Sequence, residues 1–280
     1  METTDPNGKP PIRYLVIGCP RSGTTVMHMA MAGHPQVTSL SDEMETTPLF
    51  AMGLSTFTCG AESNAERQGG LRALFDAITT ITAEPGHTHR GAKVCARSPA
   101  EALILVEALR AYLPEVRAIL TIRDDLVAQY GSLRKARRSN VWHSWNPGAA
   151  AERNRKLKLN GWLFRRYVLN TLEVIQTLRT LAESHQVLEC SFERLQTEAN
   201  AIYQEAFSFL DLEPHPVSWL NARKVNPPPA DYISNYAGMS RILETLRSQH
   251  ACEEVPGHVK SVTNALDQLS KTYYWARRRS

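Results

Sequence analysis

The chain has 280 residues, of which 42% are hydrophobic and 21% are charged, and its formal net charge is +4. This length allows one large domain or two small ones, and the composition is that of an ordinary globular protein. The mild positive charge fits a small anionic ligand, but it gives no reason to infer nucleic acid or a membrane as a partner.

The sequence predicts strands that alternate with helices. From the N-terminus, the predicted elements are a strand at 14–18, a helix at 26–33, a helix at 66–81, a strand at 91–95, a helix at 99–113, a strand at 116–122, a helix from 124 toward 138, a helix at 150–182, a strand at 187–190, and helices at 198–210, 233–248 and 262–278. Residues 34–65 are interrupted by Pro and Gly and predict no clear element. The alternation favours an α/β fold in three layers, with a central parallel sheet between helices.

The cysteines and the first residues of the chain give an expectation for the cellular compartment of the protein. Five cysteines lie far apart with no C-x-x-C pair: Cys19, Cys59, Cys95, Cys190 and Cys252. This pattern argues against a disulfide framework and favours a reducing compartment. The first residues do not resemble a signal peptide, and no apolar run approaches the roughly 18 residues that cross a bilayer. We expect a cytoplasmic protein, with a disordered tail at 1–11 and a single domain at 12–280.

The stretch YLVIGCPRSGTTVMHMA, residues 14–30, joins the first predicted strand to the first helix through a turn rich in Gly, Pro and Ser. The turn nearly matches the nucleotide-phosphate loop G-x-x-x-x-G-K-S/T, whose backbone N–H groups point at phosphate oxygens. Thr24 stands where that loop has its lysine. Because the lysine contacts the β- and γ-phosphates, a loop without it suits a donor with a shorter phosphate chain. The alternative is a strand–helix turn whose glycines serve only packing.

The segment CPRSGTT, residues 19–25, resembles the 5′-phosphosulfate loop of sulfotransferases that use adenosine 3′-phosphate 5′-phosphosulfate (PAPS). The resemblance implies a P-loop nucleotide-hydrolase-like sulfotransferase fold, PAPS as the cofactor, and adenosine 3′,5′-bisphosphate (PAP) as its product. It also implies that the loop binds the 5′-phosphate through Arg21, Ser22, Gly23, Thr24 and Thr25. Arg21 is further expected to act in catalysis, as a cation near the bridging oxygen.

The resemblance also implies a second phosphate site, because PAPS carries a 3′-phosphate. In the family, an Arg at the end of a later strand and a Ser eight or nine residues further on share that phosphate. Here these positions are Arg123 and Ser132, in a spacing with Gln129 that resembles the bacterial trehalose-sulfotransferase type. Taken alone, Arg123 would more simply be a surface cation beside an aspartate. The segment around Arg223 and Lys224 resembles the family's late segment over the donor.

The general base for the acceptor hydroxyl has more than one candidate. Many cytosolic sulfotransferases use a His in a K-x-H strand, where this chain has Cys95. Other branches use a Glu shortly after the first helix, which makes Glu43 the first candidate and Glu45 the second, and a His stays open as a further choice. Solvated loop carboxylates are the alternative. Trp142 and His143 are candidates for lining the acceptor pocket, and no metal site is expected.

These observations predict an enzyme that moves a sulfuryl group from PAPS to a hydroxyl, or an amine, of a small-molecule acceptor. A carbohydrate or a specialised metabolite would fit. The first alternative is a small-molecule kinase or NTPase with a degenerate phosphate loop, which would need Mg²⁺ and ATP. The second is a nucleotide-binding protein without catalytic activity. The sequence leaves the oligomeric state open, a homo-oligomer included.

Overall fold

A computed structural model describes residues 12–40, 72, 75, 76, 78, 79, 86–139, 156–217 and 228–252. In these ranges the strands are β1 (Ile12–Gly18), β2 (Val37–Leu40), β3 (His89–Cys95), β4 (Arg117–Ile122) and β5 (Val187–Ser191). They form one parallel sheet in the order β2-β3-β1-β4-β5. Because the strands are parallel, their carboxyl ends meet at one edge of the sheet, with β1 in the centre.

The α-helices whose bounds lie in the described ranges are α1 (Thr24–Ala32), α2 (Pro99–Tyr112), α3 (Leu126–Ser139), α4 (Gly161–Arg179), α5 (Phe192–Thr197), α6 (Ala199–Phe209), α7 (Pro229–Tyr232) and α8 (Tyr236–Cys252). One buried apolar cluster joins the sheet to α2 and α4, and a second cluster on the other face joins it to α1 and α6. A third cluster packs α3 and α4 against α7 and α8. The predicted three-layer α/β fold is therefore confirmed.

The central strand shows why its sequence is apolar at every position. Leu15 and Ile17 enter one buried cluster, whereas Tyr14 and Val16 enter the other. Successive side chains of a strand point to opposite faces, so a strand covered on both sides has no position for a solvated residue. Both faces of β1 are thus used for packing, and its carboxyl end is free to lead into a functional loop.

Several predicted boundaries are wrong. β2 lies inside the 34–65 stretch, and within the described ranges its four residues pair only with β3 at the sheet edge, which leaves too short a pattern to predict. The helix predicted from residue 150 begins at Gly161, because the Asn160 side chain caps it by accepting from Leu163 N–H. Just before that cap, Leu157 forms an isolated parallel bridge with Ile233.

The C-terminal predictions need two further corrections. The helix predicted at 198–210 corresponds to α6, but the short helix α5 precedes it and was not predicted. The helix predicted at 233–248 is shifted, because Ile233 is extended after α7 and α8 begins only at Tyr236. The tail at 1–11 and the helix at 262–278 lie outside the described residues.

Candidate active site

The segment between β1 and α1 forms a tight loop at the carboxyl edge of the sheet. Arg21 and Gly23 have positive φ angles of 68° and 98°. A Cβ at Gly23 would lie 2.9 Å from the Phe192 ring, and one at Gly18 would lie 2.4 Å from the Thr121 carbonyl oxygen. The first N–H groups of α1 have no acceptor within the helix and lie at its positive end. This geometry suits an anion such as a phosphate.

Ser22 supports the loop from inside. Its side chain is buried, and its hydroxyl donates to the Cys19 carbonyl oxygen over 2.8 Å. The Thr121 hydroxyl lies 2.9 Å from the Ser22 hydroxyl. Because a hydroxyl has only one proton to donate, the Ser22 proton is used within the loop. The contact of Ser22 with a nucleotide stays a prediction.

Two distant segments contact the loop from the β4 side. Ser132, in α3, accepts a hydrogen bond from Arg21 Nε over 3.0 Å, across 111 positions of sequence. Arg123, directly after β4, donates from Nη1 to the Arg21 carbonyl oxygen over 3.4 Å. Gln129, one helical turn before Ser132, donates from Nε2 to the Pro20 carbonyl oxygen over 2.9 Å. The structure thus brings the loop and the Arg123–Ser132 pair together.

The Arg123 guanidinium lies against an aromatic ring. Its central carbon is 4.3 Å from the centre of the Phe192 ring. Burial lowers the pKa of Arg123, and the charge of Asp125 is the largest influence that opposes this shift. The guanidinium stays protonated at neutral pH, because the ordinary pKa of arginine is above about 12. A half-buried cation that stacks on a ring and keeps further N–H donors is well suited to a phosphate.

The turn that carries Arg123 is fixed by carboxylates. Glu193 accepts hydrogen bonds from the backbone N–H groups of Asp124 and Asp125, each over 3.1 Å. Asp125 in turn accepts from the Tyr236 hydroxyl over 2.9 Å. These contacts tie the turn after β4 to α5 and α8. Arg123 is therefore held by a scaffold and not by a solvated loop, which limits the positions that its guanidinium can take.

A buried lysine contacts the loop region from the opposite side. Lys93, on β3, is 5% exposed and donates from Nζ to Thr25 Oγ1 over 3.0 Å. Two residues later, Cys95 has its Sγ 3.4 Å from Thr24 Oγ1. The sequence reasoning did not select Lys93 as a site residue. The signal that could have found it is a charged residue inside a strand that is otherwise buried.

Residues 14–216, which include the loop, Lys93, Arg123, Gln129 and Ser132, match the sequence profile named "Sulfotransferase family". The chain belongs to the sulfotransferase family. Membership confirms the predicted class of enzyme, a sulfotransferase. A comparison with curated protein sequences finds no significant match.

Solved structures similar to this one include sulfotransferases and a kinase. The sulfotransferase STF9 from Mycobacterium avium is 14% identical, with a TM-score of 0.46 over 85% of this chain and 76% of its own. A sulfotransferase from Alicyclobacillus acidocaldarius is 14% identical, with a TM-score of 0.42 over 84% and 95%. A sugar kinase from Janibacter sp. HTCC2649 is 16% identical, with a TM-score of 0.38 over 73% and 97%. Sequence identities and TM-scores this low do not indicate which reaction the chain catalyses.

The other predicted site residues of the sulfotransferase lie outside the described residues: Glu43, Glu45, Trp142, His143, Arg223 and Lys224. Their roles stay predictions. β2 ends at Leu40, which pairs with Ala92 of β3. Because β2 is parallel to β3 and β1, its carboxyl end faces the same edge of the sheet that carries the loop after β1.

Further findings concern the part of the sulfotransferase that the structure describes. There, no group of three or more His, Cys, Asp or Glu side chains could hold a metal ion. In the same ranges, no helix combines the length and the apolar character that a bilayer crossing requires. The described cysteines Cys19, Cys95 and Cys190 are not joined by disulfides.

Proposed function

We propose that this sulfotransferase takes its sulfuryl group from PAPS and transfers it to a hydroxyl, or an amine, of a small molecule. The observation that carries the proposal is the 3.0 Å hydrogen bond from Arg21 Nε to Ser132 Oγ. The contact of Arg123 with the Arg21 carbonyl oxygen supports it. Two anion-binding features therefore lie side by side, as a nucleotide with both a 3′- and a 5′-phosphate requires.

The 5′-phosphate is proposed to lie at the start of α1. Backbone N–H groups from Gly23 onward and the hydroxyls of Thr24 and Thr25 would bind its oxygens. When the sulfuryl group leaves, negative charge develops on the 5′-phosphate, and nearby cations stabilise that charge. Arg21 and Lys93 are proposed to supply these cations. Lys93, which contacts Thr25 from β3, would thereby replace the lysine that the loop lacks.

The 3′-phosphate is proposed to bind to Arg123 and Ser132. A planar guanidinium matches two phosphate oxygens at once, which makes arginine a specific phosphate ligand. Because Arg123 stacks on Phe192 through the face of its guanidinium, N–H groups at the guanidinium edge would contact the phosphate. Arg223 and Lys224 are proposed to cover the donor, on the basis of the sequence resemblance.

The acceptor hydroxyl needs a base, and we propose Glu43, with Glu45 as the alternative. Partial burial of such a carboxylate would raise its pKa toward the working pH, where a general base is most effective. Trp142 and His143 are proposed to line the acceptor pocket. Because Arg21, Lys93 and Arg123 would supply the positive charge, the mechanism requires no metal. The change Glu43→Gln is expected to lower turnover and to leave PAP binding near normal.

The acceptor is proposed to be a carbohydrate or a specialised metabolite with a reactive hydroxyl. The resemblance of the Arg123–Ser132 segment to the trehalose-sulfotransferase type favours a carbohydrate. We place the reaction in the cytoplasm, because the dispersed cysteines suit a reducing compartment. Residues 12–280 are proposed to form one catalytic domain, since no linker divides them.

A thermal-shift comparison of two nucleotides tests the proposal. PAP in the presence of EDTA, at about 100 times its dissociation constant, is expected to raise the free energy of unfolding by roughly 2.7 kcal/mol. ATP with Mg²⁺ at the same concentration is expected to stabilise the protein much less. Stabilisation by Mg²⁺–ATP and not by PAP would favour the kinase alternative and defeat the proposal.

A further inference from the structure

Two buried polar atoms beside the loop have no hydrogen-bond partner among the residues that the structure describes. They are Arg123 Nε and Gln129 Oε1. The Gln129 side chain is deeply buried, since the residue is 1% exposed. About 90% or more of buried polar groups in proteins are hydrogen-bonded, so two unpartnered atoms on side chains that contact the same loop suggest that a ligand completes them.

The two side chains hold neighbouring parts of the loop. Gln129 uses its Nε2 to donate to the Pro20 carbonyl oxygen over 2.9 Å. Arg123 uses its Nη1 to donate to the carbonyl oxygen of Arg21, the next residue, over 3.4 Å. Ser132 lies one helical turn after Gln129 and contacts the Arg21 side chain. The unpartnered atoms therefore adjoin the position proposed for the 3′-phosphate.

The chemistry of these atoms limits what can complete them. Arg123 Nε can only donate a hydrogen bond, whereas Gln129 Oε1 can only accept one. A single group that completes both atoms must accept one hydrogen bond and donate another, and a hydroxyl can do both. In PAPS, the ribose carbon next to the 3′-phosphate carries such a hydroxyl, at the 2′ position.

We propose that the 2′-hydroxyl of the donor's ribose accepts from Arg123 Nε and donates to Gln129 Oε1. Gln129 then makes the enzyme select a ribonucleotide over a 2′-deoxyribonucleotide. The inference rests on the proposed function, because it needs the 3′-phosphate to bind at Arg123 and Ser132. It assigns to Gln129 a role in donor specificity that is separate from its hydrogen bond to the loop.

The test measures the dissociation constants of PAP and 2′-deoxyadenosine 3′,5′-bisphosphate by titration calorimetry. The two ligands differ only in the hydroxyl concerned. For the unmodified protein, PAP is expected to bind about 10- to 100-fold more tightly. This ratio corresponds to the free energy that a hydrogen bond to a charged group usually contributes. This comparison needs no substitution, so it does not depend on the folding of a variant.

Three variants test whether Gln129 causes the preference for PAP over the 2′-deoxyribonucleotide. The change Gln129→Met removes the acceptor at similar length, and the ratio of the two dissociation constants is expected to approach one. The change Gln129→Glu keeps an acceptor oxygen, and the preference for PAP is expected to remain. The control Ser132→Ala removes a contact to the phosphate, so both ligands are expected to weaken together while their ratio stays unchanged.

The outcomes separate this inference from the proposed function. If the unmodified protein binds both nucleotides equally well, the inference is wrong, and a buried water is the simpler partner of both atoms. If the preference persists in Gln129→Met, the inference is also wrong, because another residue then reads the hydroxyl. If neither nucleotide binds, the proposed function and the inference fail together.

Discussion

At the scale of single residues, the site places two cations on opposite sides of one loop. Arg123 contacts the loop from β4, and Lys93 contacts Thr25 from β3. Since β3 and β4 are the two neighbours of β1, the nucleotide is proposed to lie across the end of β1 with one phosphate toward each side. Each cation is therefore expected to respond to one phosphate of PAP more than to the other.

The change Arg123→Ala is expected to weaken PAP binding about 10- to 100-fold, because it removes the charge-assisted hydrogen bonds proposed for the 3′-phosphate. Titration calorimetry with PAP measures the loss. Adenosine 5′-monophosphate, which lacks the 3′-phosphate, is the control ligand, and its affinity is expected to change little. The change Arg123→Lys keeps the charge but loses the planar group that stacks on Phe192, so an intermediate loss is expected. Equal losses for both ligands would contradict the assignment.

The change Lys93→Met is expected to weaken PAP binding about tenfold or more, since it removes the cation proposed to lie beside the 5′-phosphate. Adenosine 3′-monophosphate lacks that phosphate, and its affinity is expected to change little. Methionine fills a similar volume without a buried charge, so the free energy of unfolding should change by less than about 1.5 kcal/mol. The exposed Lys158, changed to Met, is the control and should affect neither ligand. Equal losses for PAP and adenosine 3′-monophosphate would indicate general damage to the site.

At the scale of elements, the loop between β1 and α1 depends on a backbone conformation that L-residues disfavour. Gly23 has a φ of 98°, and Gly86 has a φ of 91°. A Cβ at Gly23 would lie 2.9 Å from the Phe192 ring, whereas a Cβ at Gly86 would meet nothing within 4 Å. A side chain at Gly86 would therefore meet only the cost of the backbone conformation, whereas one at Gly23 would meet that cost and a steric clash as well.

The change Gly86→Ala is expected to lower the free energy of unfolding by about 1 kcal/mol, the usual cost of a positive φ. The change Gly23→Ala adds a clash in a packed region, and a total loss of about 2–4 kcal/mol is expected. Urea unfolding measures both values. PAP binding should survive in the Gly86 variant and be strongly reduced in the Gly23 variant. Similar behaviour of the two variants would mean that the loop tolerates a side chain at this position.

The predictability of each element follows from how local its signal is. β1 and the loop were predicted because an apolar run and two glycines are visible in adjacent residues. β2 was not, because it is four residues long and its identity depends on pairing with β3. The start of α4 was placed too early, because the side-chain cap from Asn160 decides the boundary and the residues before it read equally well as helix.

The site residues likewise differ in how much of their role is visible in the local sequence. The loop residues were predicted from their own motif, and Arg123 and Ser132 only from the family resemblance, because spacing alone does not bring them to one point. Lys93 and Gln129 were not selected. Their positions beside the loop depend on β3 lying next to β1 and on α3 packing over the loop. Such contacts arise from tertiary structure, so no short stretch of sequence contains them.

At the scale of the whole molecule, the two ends of the sheet differ in chemistry. The carboxyl edge carries the loop, whereas β3 begins at the other edge beside the end of α6. There, His34 Nε2 donates to the Glu213 carbonyl oxygen over 3.0 Å. His89 Nε2 donates to the Leu210 carbonyl oxygen over 2.6 Å. These buried imidazoles tie the segment after α1 and the start of β3 to the end of α6.

Burial lowers the pKa of both His34 and His89, and the contacts with carbonyl oxygens oppose this only in part. For His89, the nearby charges of His34 and Arg117 lower the pKa further, and Asp211 raises it. Both imidazoles are therefore neutral in the folded protein at neutral pH. In the unfolded chain a histidine has a pKa of about 6.5, so below that pH the unfolded state binds protons that the folded state does not. The free energy of unfolding must then fall as the pH decreases.

We expect this loss between pH 7.5 and 5.5, a range above the titration of ordinary carboxylates. For His89 its slope is at most about 1.4 kcal/mol per pH unit. Urea unfolding at several pH values measures it. The change His89→Gln keeps an N–H group for the Leu210 carbonyl oxygen but cannot titrate, so its profile should be flatter than that of the unmodified protein. If the variant kept the full slope, the acid sensitivity would arise from other groups, and the buried imidazole at the start of β3 would not control it.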